Sequence, residues 1–254
     1  MAWALHAAYA HVIQVVIMVQ KHIHGSKGDY SDTTVVIPVK DEPAVWKVAN
    51  GVLKALAGCK VLIIYKNGDG KPGLQAGKGK EVLHVGVKVI RQTDSGKGMA
   101  CIHAAKHVST PIICFIDGDA TYDARDLKRM ISLVRDGADM VLGDRLSNVS
   151  LKAMPRFIQM GNWVLTATAN LLYGMHIRDS QTGIRAIRKP SWDRMGLSEK
   201  NFGIETEMNI KARKNGMTIV EIPVKYYLRI GTTKQRKVVD GLKLFLTNFK
   251  FLFS

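Results

Sequence analysis

Apolar residues in this chain recur with two spacings, and the switches between them mark out the elements. From Thr33 the run Thr-Thr-Val-Val-Ile-Pro-Val is apolar without alternation, as is Ile-Ile-Cys-Phe-Ile over 112–116. Unbroken runs of that length fit strands covered on both faces, as in a mostly parallel sheet. Further strands are predicted at 61–65, 82–90, 139–142, 184–187 and 218–228, the last at a sheet edge because Pro223 lies inside it. Spacings of three and four predict helices over 44–56, from Gly96 to about His107, and over 126–134. This β-α-β alternation implies an α/β sheet with right-handed crossovers. A long helix follows over 154–173, with Pro155 in its first position and Gly174 just past its end. Another covers 205–215, closed by Gly216. Asn67-Gly68-Asp69-Gly70 is a turn signal leading into a basic loop over 71–80.

Both ends are amphipathic or apolar. Residues 2–20 carry no formal charge and are nearly long enough to span a bilayer, although His6, His11 and Gln14 dilute them. Three readings remain for this stretch: a membrane-associating helix, a helix packed on the domain, and a span. It lacks the basic start and cleavage site of a secretory signal. In the tail, Val238, Leu242, Phe245, Phe249 and Leu252 form one stripe, with Arg236, Lys243 and Lys250 at every seventh position beside it. A basic amphipathic helix suits a membrane surface, and docking on its own core is the alternative. The expected organisation is an apolar helix and linker over 1–30, a central domain over 31–235 and a basic helix over 236–254.

Charge narrows the partners. The 254 residues carry a net +16, which points to nucleic acid, an anionic membrane face or phosphorylated substrates. No nucleic-acid motif is present and the basic residues are not interleaved with aromatics, so nucleic acid is not expected. Cys59, Cys101 and Cys114 form no metal spacing, and an odd, scattered set argues for a reducing compartment.

The chemistry concentrates where the central run stops, at Asp117-Gly118-Asp119. In open α/β sheets the ligand sits beyond the carboxyl ends of the strands. Two carboxylates one residue apart can share a hard divalent cation and a diphosphate, with Gly118 letting the ligand close in. A solvated turn is the plain alternative. Gly96-Lys97-Gly98 suggests a phosphate cradle but lacks the full P-loop spacing, and a simple helix entry with a solvated lysine competes with it.

In order along the chain, these motifs resemble family-two glycosyltransferases of the GT-A fold, specifically dolichyl-phosphate sugar synthases and their archaeal relatives. Val-Val-Ile-Pro-Val-Lys-Asp-Glu resembles the opening strand and nucleotide loop. Ile-Asp-Gly-Asp-Ala-Thr-Tyr resembles the Asp-Ala-Asp element, Gly143-Asp144-Arg145 the Gly-Ser-Arg element, and Asp-Ser-Gln-Thr-Gly-Ile-Arg-Ala the Asp-x-x-Ser-Gly-Phe-Arg-Ala element. Val-Glu-Ile-Pro-Val-Lys-Tyr and the loop Arg229 to Lys234 resemble the closing strand and its Arg-x-Gly-x-x-Lys. The likeness covers about 33–240. Two departures stand out: Tyr65-Lys66-Asn67 replaces the usual Asp-Asp, and Asp41 replaces the usual Asn, so the base-recognition pocket differs.

The resemblance implies an inverting transfer of a sugar from a nucleotide-sugar (GDP-mannose, UDP-glucose or UDP-GlcNAc) to a polyprenyl (dolichyl) phosphate at the cytoplasmic membrane face. It implies Mg²⁺ or Mn²⁺ held by Asp117 and Asp119. Pro38, Asp41, Glu42, Asp117, Gly118, Asp119, Thr121, Arg145, Arg229 and Lys234 would meet the donor. Arg145, Arg156 and Lys234 would meet the acceptor phosphate. Asp119, Arg145 and Asp179 would be the catalytic group, with Asp179 orienting the sugar or acting as base. A GT-A transferase with a soluble acceptor, an inactive scaffold and a basic nucleic-acid-binding protein are the competing readings.

Overall fold

The computed structural model describes residues 28–66, 86–92, 94–231 and 237–252. The apolar stretch over 2–20, the loop over 71–80 and Lys234 lie outside them. Seven strands form one sheet: β1 (Thr33–Lys40), β2 (Lys60–Lys66), β3 (Val87–Arg91), β4 (Ile112–Phe115), β5 (Met140–Asp144), β6 (Arg185–Arg188) and β7 (Ile219–Pro223). Their order is β3-β2-β1-β4-β6-β5-β7, and all the pairings are parallel except those of β6, which runs antiparallel to both neighbours.

Helices cover both faces, as the unbroken apolar strands require. On one side α1 (Val45–Ala55) and α3 (Asp126–Arg135) bury Val45, Val48, Val52, Leu127, Met130 and Ile131 against Val35, Ile37 and Cys114. On the other, α2 (Lys97–Ala105), α4 (Arg156–Tyr173), α5 (Lys189–Met195) and α6 (Ile204–Lys214) cover Val36, Ile113, Phe115 and Leu142. Successive strand residues face opposite layers, so a strand with both neighbours in place is apolar throughout.

The sequence-based boundaries need four corrections. The strand expected to reach Leu228 ends at Pro223, which cannot continue an N–H ladder, and β7 is indeed an edge strand. Pro155 takes the N-cap position of α4 in an extended conformation (φ −57°, ψ 150°) rather than the first helical one. Gly174 closes that helix in the left-handed conformation, as expected. Helix α5 has only seven residues and was not predicted; its Trp192 stacks on Phe115 at 4.8 Å. The tail forms α7 (Lys237–Lys250), which docks through Asn248 and Phe251, beside the predicted stripe rather than along it. The Tyr173 hydroxyl donates to Asn248 O (2.6 Å), and Asn248 Nδ2 donates to Leu165 O (3.3 Å), tying α7 to α4.

Candidate active site

The topology brings the chemistry to one edge. Strands β1, β4, β5 and β7 are parallel in direction, so the residues that follow them gather at a common end of the sheet. Because β6 runs the other way, the residues just before it, 179–184, arrive at the same end.

Asp117 and Asp119 follow β4. Asp117 is half-buried and its Oδ1 lies 2.6 Å from Lys97 Nζ, which also pairs with Glu205 Oε1 at 2.7 Å. Burial alone would push the Asp117 carboxyl up. The Lys97 ammonium, with Arg145 and Arg229 beyond it, outweighs that and holds it below the usual range. Lys97 is therefore not solvated, and Glu205, at the first turn of α6, is one of its two partners. The other face of Asp117 lies on Gly183, where an added Cβ would sit 2.1 Å from Asp117 Oδ2. That glycine makes room for the carboxylate.

Asp119 is buried, and Thr121 aims it: the backbone N–H and the hydroxyl of Thr121 donate to Oδ1 at 3.1 and 2.6 Å. Oδ2 faces Arg229 Nη1 at 3.1 Å, and the same guanidinium reaches Glu42. Burial and the nearby Asp117 charge push the Asp119 carboxyl up. Just after Asp119, Ala120 adopts φ 61°, a left-handed conformation costly to a residue with a Cβ. At Gly118 a Cβ would lie 2.4 Å from Val39 Cγ1, so its smallness fits the turn onto β1. That is a different reason from the ligand approach suggested by the sequence.

Arg145 follows β5 and is gripped by Asp179. Its Nε and Nη2 donate to Oδ2 and Oδ1 at 2.6 and 2.8 Å, and its backbone N–H adds a third bond at 3.1 Å. The guanidinium also lies over the Tyr226 ring, 5.4 Å from its centroid. Burial works against the Arg145 charge, but Asp179 overcomes it and drives the proton affinity well up. Asp179 has no exposed surface. A carboxylate enclosed in this way orients Arg145, and the geometry supports that role over a base. The Asp179 loop is held in turn by Glu221 on β7, which accepts the N–H groups of Arg178 and Asp179 at 2.8 and 2.9 Å.

Of the other predicted residues, Pro38 sits half-buried within β1, and Asp41 follows it at φ 51°. Arg156 is exposed at the first turn of α4, and no hydrogen bond or ion pair among the described residues joins it to the cluster. Lys97, Glu205, Tyr226 and Glu221 were missed as site residues. Only Lys97 carried a local signal, its flanking glycines, which pack against the backbone of Glu199 and Lys200.

Among the described residues no three acidic, histidine or cysteine side chains cluster to hold an ion by themselves. Two hard carboxylates at one strand end suit Mg²⁺ or Mn²⁺ that takes its remaining ligands from phosphate oxygens and water. The raised proton affinity of Asp119 beside Asp117 fits a place where a cation would relieve repulsion. A cavity of about 350 Å³ adjoins this edge, lined by Leu146, Ser147, Trp163, Thr166, Ile177 and Arg178 among others.

Sheet order, helical layers and the acids beyond the central strand define an α/β protein of the GT-A fold. A family model described as "Glycosyl transferase family 2" matches residues 34–193, and the chain belongs to that family. It is 34% identical over 168 residues to glycosyltransferase AglJ of Haloferax volcanii, a match covering 65% of this chain and 55% of that one. To a dolichyl-phosphate hexose transferase of the same organism it is 33% identical over 157 residues, covering 62% and 68%. The chain thus spans little more than half the length of the first relative. Its fold matches that of glucosyl-3-phosphoglycerate synthase from Mycobacterium tuberculosis, crystallised with Mn²⁺, UDP and phosphoglyceric acid. That match has a TM-score of 0.67 at 13% identity and covers 87% of this chain and 78% of the other.

Proposed function

We propose that this chain transfers a hexosyl group, with inversion, from a nucleoside-diphosphate sugar to a polyprenyl phosphate at a membrane face. The observation that carries it is the convergence of Asp117, Asp119 and Arg229 with the Asp179-held Arg145 at one sheet edge. Similarity to a dolichyl-phosphate hexose transferase supports the acceptor class.

In this reading an ionised oxygen of the acceptor phosphate attacks the anomeric carbon as the bond to the diphosphate breaks, and the electron pair leaves with the nucleotide. A phosphate monoester is largely ionised near neutral pH, so no general base is required. Asp119 with Asp117 would hold a divalent cation, which would supply Lewis-acid neutralisation of the leaving diphosphate. Arg145 presents a guanidinium fixed by Asp179, and a donor that is already oriented stabilises developing charge without reorganising. Arg229, on a loop anchored by Ile230 N–H donating to Asp119 O (3.0 Å), can turn from Asp119 to the diphosphate. The cavity at Leu146, Trp163 and Ile177, beside Arg145 in the chain, offers apolar walls to the first isoprenoid units.

The test is transfer of labelled sugar to polyprenyl phosphate, screened over GDP- and UDP-sugars with Mn²⁺. One donor should be used, and Asp119→Ala should abolish its use while the melting temperature stays within a few degrees. Unchanged turnover in that variant would sink the assignment.

A further inference from the structure

The outer face of α4 is apolar and exposed from Phe157 to Leu171. Phe157, Met160, Val164 and Leu171 recur at helical spacing on that face and are 40–84% exposed, with Trp163 at its border 65% exposed. Residues 157–173 include no charged side chain. The remaining positions of the face ask nothing of water: Gly161 has no side chain, and the Thr168 hydroxyl donates back to Val164 O at 2.9 Å. The opposite face, with Leu165 and Ala169, is buried in the domain. A helix apolar all round belongs in an apolar medium on every side. Alongside, α7 leaves a second uncovered stripe, Leu242, Leu246 and Phe249. Still, no helix among the described residues is long and apolar enough to cross a membrane.

We infer that α4, with α7 beside it, is the surface by which the protein lies on an anionic bilayer. The inference rests on the lipid-phosphate reading above and adds which face of the molecule meets the lipid. Charge selects this occupant. Lys152 and Arg156 stand exposed at the amino end of α4, and Lys243 stands exposed on α7, where Lys250 is instead paired with Glu199 at 2.7 Å. No acidic side chain lies on α4 to oppose them. Cations flanking an apolar helical face match anionic headgroups around an acyl boundary. A second copy docked on the same face would instead enclose those cations in an interface to which α4 brings no acid, in a chain of net charge +16. Trp163 at the border of the stripe suits the headgroup level, where indole rings collect. Laid down on this face, the protein has Arg156 at the depth of a lipid phosphate.

The experiment uses the full chain with phosphatidylglycerol vesicles carrying brominated acyl chains. Tryptophan fluorescence should be quenched, and Trp163→Phe should lose most of the quenching. Met160→Glu combined with Leu171→Glu should lower vesicle partition by about tenfold or more, and transfer to a short, water-soluble isoprenyl phosphate should remain. Undiminished partition in that variant overturns the inference. So does a dimer in sedimentation that shields Trp163 from quenching and is broken by the same substitutions. If the unaltered chain transferred no sugar to any polyprenyl phosphate, the catalytic reading would fail while the quenching still reported the bilayer face, so the two can fail separately.

Discussion

Replacing Asp179 with Asn tests the internal logic of the site most directly. Asp179 has no exposed surface, and Arg145 is 8% exposed. Their side chains share two bonds of 2.6 and 2.8 Å. Removing one partner of a buried ion pair costs about 3–5 kcal/mol, chiefly because the other charge is left without a counterpart. Asparagine keeps the shape and one acceptor, and a recovered hydrogen bond returns about 1 kcal/mol. Its amide, however, sets N–H against a guanidinium or a backbone donor. The expected destabilisation is therefore about 2–4 kcal/mol, read by urea denaturation at neutral pH with an unchanged slope. For a domain of this size that amounts to roughly 4–16 °C in melting temperature. Transfer should fall by about a hundredfold or more, because Arg145 loses its fixed orientation. The paired replacement Arg145→Met with Asp179→Leu should be more stable than Asp179→Asn, since it leaves no lone charge. A loss under about 1 kcal/mol for Asp179→Asn would refute the claim that this carboxylate exists to hold that arginine.

Burial pushes the Glu221 carboxyl from its ordinary 4.5 to about 7, against the two N–H groups that favour its charge. The folded chain thus holds a proton that the unfolded chain has released, so this stabilisation is complete below pH 4.5 and is lost as pH rises through 7. On the order of 3 kcal/mol is involved, and Glu221→Gln should flatten the stability profile across that window; parallel profiles would count against it. Gly183→Ala would place a Cβ 2.1 Å from Asp117 Oδ2. It should cost about 1–3 kcal/mol and weaken nucleoside-diphosphate binding in titration calorimetry, and undiminished affinity would contradict the placement of Asp117. Ala120→Gly should raise stability by about 1 kcal/mol by relieving the left-handed backbone, and a fall in urea midpoint would show that the turn is held otherwise.

Local pattern revealed most of the scaffold. Strands β1 and β4 announce themselves because sheets covered on both faces demand unbroken apolar runs, and the acids at 117 and 119 fall where such a run stops. Direction within a sheet has no such signature. The four residues of β6, Arg-Ala-Ile-Arg, read equally well in either sense, so its antiparallel insertion between β4 and β5 was invisible. Contacts between distant segments were equally hidden. Lys97 opens one helix and Glu205 another, and only the folded sheet edge brings both to Asp117. The tail's apolar stripe misled for a related reason. Asn248, a polar residue off that stripe, is fully buried, with its amide donating to the Leu165 carbonyl.

The reversed strand β6 also governs how the molecule assembles. Strands β1 to β4 derive from residues 33–115 and adjoin one another, whereas β5 and β7 derive from 140–223 and meet them only through β6. Within the first block only β1, β2 and β3 join neighbouring segments, while the β1–β4 ladder joins Thr33 to Ile112 and the β4–β6 ladder Ile112 to Arg188. Both of these ladders close long excursions of chain, so both are expected to form after the β1–β2–β3 pairings. Asp117 and Asp119 ride on one block, Arg145 and Asp179 on the other. A nucleotide bridging them would act as a clasp, and amide exchange along the β4–β6 ladder should slow when it binds.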